Sequence, residues 1–183
     1  VSVGLLVLAN DFVELWLGAE YSMGKTMAFA IATNTYFTIA MQPIWSYREA
    51  TGLYNKTKYV MVATAIVNII LSVIMGMYLG APGIVFATVL ARLSTYFWYE
   101  PYLVYKLYFK QKAVGYYLDF VISIILIFLS YIVTEKAFSF FKINGWFGWI
   151  IHAVLTCCFT GAFYFLRYAW TDEFKMCINK MKN

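Results

Sequence analysis

Long apolar stretches separated by short polar breaks run along the whole chain. Six of them reach or approach the roughly 20 residues that a helix needs to cross a bilayer: residues 1–17, 24–47, 59–79, 83–105, 116–134 and 146–166. The fifth is the least sharply bounded, because Asp119 and Glu135 bracket a short apolar run. The pattern predicts an all-α fold, an integral membrane bundle of about six transmembrane helices over residues 1–169. Residues 170–183 follow as a tail. In it Trp170, Phe174, Ile178 and Met181 recur at steps of four, four and three, with lysines between. That spacing suits an amphipathic helix lying on the inner leaflet, or else a disordered basic tail.

Composition sharpens this reading. The chain has 183 residues, 63% of them hydrophobic and 13% charged, against about half and about a quarter in an average soluble domain. A water-soluble fold of this size could not hide so much apolar surface. Residue 1 is Val, no basic segment or cleavage site marks a signal peptide, and the first span is already under way at that point. The expectation is that further N-terminal sequence, a missing helical bundle, precedes it.

The net charge of +5 is a topology signal and no argument for nucleic acid. Arg48, Lys56 and Lys58 fall between the second and third spans. Lys106, Lys110 and Lys112 fall between the fourth and fifth, and Arg167, Lys175, Lys180 and Lys182 after the sixth. The opposite side holds Lys25, Lys136 and Lys142. By the positive-inside rule the richer side, with the C-terminus, is cytoplasmic, and the Gly80–Pro82 turn is a tight external hairpin. Trp16, Tyr21, Trp45, Tyr47, Tyr59, Tyr116, Tyr117 and Trp146 lie near the predicted ends, where aromatic rings favour the headgroup layer.

Polar residues inside the spans carry the functional information, since each must be satisfied or must face a water-filled path. Of the 14 basic residues, Arg92 alone lies deep within a span, about 13 Å from its external end at the helical rise. Thr88, Thr95, Tyr96 and Tyr99 share its face. Guanidinium pairs with phosphate and rings stack on sugars, so this face suits an anionic or sugar-bearing ligand. A salt bridge to an acid elsewhere is the structural alternative. Asn34, Thr38 and Gln42 recur at four-residue steps, with Pro43 disrupting the inner end of that span. Thr64, Asn68 and Ser72 do the same on the third. Asn34 and Asn68 share the depth of Arg92, lining a cavity or bonding helix to helix. Asp11 and Glu14 are either coupling-ion candidates or solvated groups at a mouth. Glu100, next to Pro101, is expected to meet Lys106 or headgroup water.

No enzyme constellation appears: no paired-carboxylate cleft, metal-ligand cluster, or nucleophile with a base. Cys157, Cys158 and Cys177 form no CxxC, and His152 is the one histidine; no metal or cofactor is expected.

Three stretches carry a resemblance: "ELWLGAEYSMG", "REATGLYNKTKYVMVATAIVNIILSVIMGMYLGAPGIVFATVLARL" and "YEPYLVYKLYFKQKAVGYY". The pattern is a G-x-x-x-K loop (Gly52, Lys56), a helix with a central Asn (Asn68), a Gly-x-x-Gly turn (Gly80, Gly83) and an "AT" helix (Ala87, Thr88). In these the chain resembles the polysaccharide flippases of the multidrug/oligosaccharidyl-lipid/polysaccharide superfamily. The resemblance implies the C-terminal half of a two-bundle transporter in a bacterial inner membrane. Its expected activity is to flip undecaprenyl-pyrophosphate-linked oligosaccharide repeat units for O-antigen, capsule or exopolysaccharide export. Arg92, Asn34, Gln42, Asn68, Tyr96 and Tyr99 are the substrate-binding candidates. A drug exporter of the same superfamily, a membrane-embedded glycan polymerase or acyltransferase, and a scaffold subunit are the alternatives.

Overall fold

The computed structural model describes residues 1–140, 145–171, 174–176 and 180. All regular structure among them is helical. The long helices are α1 (Ser2–Leu17), α2 (Gly24–Ala50), α3 (Tyr54–Leu79), α4 (Ala81–Ser94), α5 (Tyr96–Val104), α6 (Val114–Phe140) and α7 (Gly145–Tyr168). A π-helical turn, Tyr105–Phe109, extends α5. Ile178 and Met181 of the tail pattern, and Lys142, Cys177 and Lys182, lie outside the described residues.

Three helices are long and apolar enough to cross a membrane: α3, α6 and α7. Along α3 the side chains of Val62, Ile66, Ile69, Ile70, Val73 and Met77 all face outward. Such a surface suits hydrocarbon rather than water. The other predicted spans differ for local reasons. α1 has 16 residues. α2 has 27 but spends many of them on Thr, Asn, Gln and Ser. The fourth predicted span is two helices, because the backbone breaks at Thr95 (φ −123°, ψ −98°). There the Thr95 and Ser94 hydroxyls both donate to the Ala91 carbonyl, at 2.6 and 3.0 Å, competing with the helix for its acceptor.

The loop expected between residues 48 and 58 is much shorter. α2 ends at Ala50 and α3 begins at Tyr54. Gly52, at φ +65°, takes the left-handed turn that lets Leu53 donate back to the Arg48 carbonyl at 3.1 Å. Arg48 is therefore a residue of the last turn of α2. Hydropathy reads a cluster of charges as a loop; here the charges extend the helices instead.

The core forms where α2, α4 and α5 meet: Phe37, Met41, Ile44, Val89, Tyr96, Phe97 and Val104. Towards the Gly80 end small residues, Ala28 and Ala32 of α2 and Ala87 and Ala91 of α4, are buried, which lets backbones approach. α2 continues through Pro43 and α5 through Pro101, although each proline removes a helical hydrogen bond. The carbonyls freed are those of Ile39 and Phe97, and tyrosines on α6 bond beside them. Tyr116 donates to the Ala40 carbonyl at 3.1 Å, and the Tyr117 hydroxyl lies 2.8 Å from the Trp98 carbonyl and 3.5 Å from that of Phe97.

α3 and α4 form the closest hairpin. Gly83 is buried against α3, and a Cβ built there would overlap the Met75 carbonyl. Gly83→Ala is expected to cost about 1–3 kcal/mol of stability through overpacking. Gly115→Ala, where an added Cβ meets nothing within 4 Å, is expected to be neutral or slightly stabilising. Thermal unfolding in detergent checks both; equal melting temperatures would sink the close-contact account.

Candidate functional site

The four-residue spacing of Asn34 and Thr38 puts both on the α2 face that meets α4. Arg92 reaches across from α4 and donates through one Nη to Asn34 Oδ1 at 3.3 Å and Thr38 Oγ1 at 2.9 Å. Its guanidinium lies 6.0 Å from the Trp45 ring centroid. Among the described residues no carboxylate pairs with it. Neutral acceptors satisfy some of its donors, and they leave its charge uncompensated.

Arg92 opens onto a cavity of about 400 Å³. Its walls come from four helices: Trp45 and Arg48 of α2, Met61, Thr64, Ala65 and Asn68 of α3, Thr88 and Arg92 of α4, and Tyr96 of α5. Thr64 and Thr95 hydroxyls share a 2.7 Å hydrogen bond, and Asn68 Oδ1 accepts from Ser72 at 3.3 Å. The predicted residues Arg92, Asn34, Asn68 and Tyr96 are thus gathered at one place, three on the wall and Asn34 behind Arg92. Two are not. Gln42 is exposed, its carbonyl accepting from Ser46, and Tyr99 donates to the Lys56 carbonyl at 3.4 Å, outside the cavity. Asp11 and Glu14 are exposed on α1 and line neither this cavity nor the second one.

Sequence reasoning missed the second cation. Arg48 lies 2.6 Å from Glu100, and the two residues are 6% and 1% exposed. Glu100 thus pairs across to α2, while Lys106, its expected partner, bonds the Tyr102 hydroxyl at 2.8 Å. Lys106 sits one turn or more beyond Glu100 and is exposed; the buried carboxylate takes the cation that packing brings to it. A usable signal was present. Arg48 continues the buried stripe Phe37, Met41, Ile44 at steps of four, three and four, and Glu100 sits amid the buried Phe97, Leu103 and Val104. The pair is not saturated: Arg48 Nε and Glu100 Oε2 are buried without hydrogen-bond partners.

A second cavity, about 590 Å³, opens between α1, α2, α6 and α7. Tyr36, Tyr116, Ser123, Thr160, Tyr164 and Tyr168 bring hydroxyls to an otherwise apolar wall, and Asp119 at its rim pairs with Arg167 at 3.4 Å. His152, on α7, stacks on Phe138 with centroids 3.8 Å apart.

No protein-family model, curated protein or solved structure matches this chain.

Chemically, the first cavity offers two guanidinium groups, one neutralised internally and one not, beside indole and phenol rings and an amide. That set binds anions and stacks on flat or sugar-like faces. The pair itself makes a stability prediction. Removing one partner leaves a buried charge alone, so Arg48→Ala or Glu100→Ala is expected to cost about 3–5 kcal/mol, whereas Arg48→Met with Glu100→Leu should recover most of it. Unfolding measurements on the two single variants and the apolar double variant decide; additive losses would contradict a buried pair.

Proposed function

We propose that this chain is part of a transporter that moves a lipid-pyrophosphate-linked oligosaccharide across a bacterial inner membrane. The observation that carries the reading is Arg92: a cation without an acid partner among the described residues, held by Asn34 and Thr38, facing a cavity walled by four helices. Arg92 is half-buried; an uncompensated charge inside a membrane bundle is expensive, and an anionic ligand is the economical reason to keep one. Arg92 meets the pyrophosphate, Asn68 and the threonines offer hydrogen bonds, and Trp45 and Tyr96 stack on sugar rings. Gln42 and Tyr99 drop to a peripheral role.

In this reading all six predicted spans cross the bilayer, with α4 and α5 together making the fourth. α2 tolerates its polar residues because they face neighbouring helices and the cavity rather than lipid. The α2–α3 and α5–α6 connections and the C-terminus are cytoplasmic, and the chain acts with a second helical bundle of the same protein. Its resemblance to polysaccharide flippases supports the substrate class. A cavity rich in guanidinium is a poor fit for cationic drugs, and the chain itself carries out no bond chemistry.

Two measurements test the proposal. Arg92→Ala and Arg92→Lys, made in the full chain, are expected to cut surface polysaccharide by about tenfold or more at equal expression, since each good charge-assisted contact contributes about 1.5–3 kcal/mol. Normal polysaccharide from both variants would falsify the cavity role. For topology, single cysteines are placed in a background lacking Cys157, Cys158 and Cys177. Ala81→Cys is expected to react with an impermeant maleimide in intact spheroplasts, and Asn55→Cys only after permeabilisation; the reverse pattern overturns the orientation.

A further inference from the structure

Two cations line the cavity, Arg48 and Arg92. Glu100, behind that wall between α5 and α2, is the anion paired with Arg48. Glu100 occupies the Arg48 charge at 2.6 Å, so as it stands the site presents about one net positive charge to a ligand. A pyrophosphate diester carries two negative charges. Those two facts do not match unless Glu100 yields.

The geometry allows it to yield. Arg48 lines the cavity, it keeps Nε free of hydrogen bonds, and it lies 5.1 Å from the Tyr54 ring centroid, which steadies it independently of Glu100. Glu100 Oε2 has no hydrogen-bond partner either. A carboxylate that loses its guanidinium among Pro101, Phe97, Leu103 and Val104, with the neutral Trp45 indole N–H as its remaining partner, cannot stay charged cheaply.

We propose that Glu100 is a built-in anion that a phosphate-type dianion displaces from Arg48, with one proton from solvent neutralising Glu100 as the ligand binds. This rests on the anion-cavity reading above and deepens it: the site recognises a dianion and couples its binding to proton uptake. The proton goes onto the Glu100 carboxylate, and the released Arg48 guanidinium joins Arg92 on the ligand.

The groups around Glu100 leave it as the one that takes the proton. Arg48 faces it from α2, with the exposed Glu49 3.8 Å from the other Nη of that guanidinium and open to solvent; Arg92 stands across the cavity on α4, Tyr116 faces it from α6 and Tyr96 from its own helix. α3 brings Tyr54 to Arg48 and no carboxylate or histidine to the cavity wall. Tyrosine and arginine already carry their protons at neutral pH. His152, the one histidine in the chain, sits against Phe138 between α7 and α6.

The test uses the full chain in detergent and P1,P2-dimethyl pyrophosphate, a dianion whose charge is constant between about pH 6 and pH 8. Calorimetric titration in two buffers of different ionisation enthalpy counts protons. The wild type is expected to take up about one proton per probe bound, and its affinity to fall by up to about tenfold per pH unit as pH rises, because the bound state holds the extra proton. Glu100→Gln, which keeps an amide oxygen for Arg48, is expected to bind at least as tightly at pH 8 as the wild type, with no buffer dependence and a flat pH profile. The proton count on the wild type stands even if that variant folds poorly. Binding that depends on Arg92 but takes up no proton overturns the displacement while leaving the anion cavity intact. Proton uptake that persists in Glu100→Gln also overturns it. If the probe binds neither wild type nor variants, the anion cavity falls and this inference falls with it.

Discussion

A charge buried in an apolar bundle has to find its opposite, and the Arg48–Glu100 pair is where this chain meets that demand. The pair joins the last turn of α2 to the middle of α5 at 2.6 Å. It therefore sets how these helices are rotated against each other, and the core stripe of Phe37, Met41 and Ile44 against Tyr96, Phe97 and Val104 follows that rotation. Isolated ion pairs of this kind add little net stability over apolar replacements. What they do supply is intolerance of other arrangements, because any slip of register strands two charges.

The prolines make that intolerance useful. Pro43 and Pro101 weaken α2 and α5 near the pair, and the helices would be soft there without help. Tyr116 and Tyr117, adjacent on α6, each donate to a carbonyl in one of the weakened turns. Their rings also pack with Phe97 and Phe120. One end of α6 thus braces both proline-containing helices beside the cavity wall formed by Trp45, Arg48 and Tyr96.

Arg92 answers the same constraint differently. Its partners are an amide and a hydroxyl, so it is oriented without being neutralised. The contrast between a paired and an unpaired guanidinium in one cavity is the basis of the functional reading. It also explains why α2 is the least apolar of the long helices: its Asn and Thr ladder is what holds Arg92.

Much of this was legible along the chain, for a physical reason. Apolar runs of membrane length have to be helical because backbone groups in hydrocarbon must bond within their own segment, so the helical class and the positions of α3, α6 and α7 follow from local pattern. Arg92, Asn34 and Asn68 stood out because polar groups are rare in such runs. Other features depend on partners far apart in sequence. Arg48 looked like a loop charge because hydropathy cannot distinguish a solvated cation from one that packing delivers to a carboxylate 52 residues away. The Thr64 hydroxyl that meets Thr95 at the break comes from another helix. Gln42 and Tyr99 had the right residue types at the right spacing, yet helix rotation turned them away from the cavity. Sequence alone determined which segments are helices and which residues are costly to bury; tertiary structure decided which of those costs are cancelled and which are left open, because charge compensation is set by distance across helices and not by position along the chain.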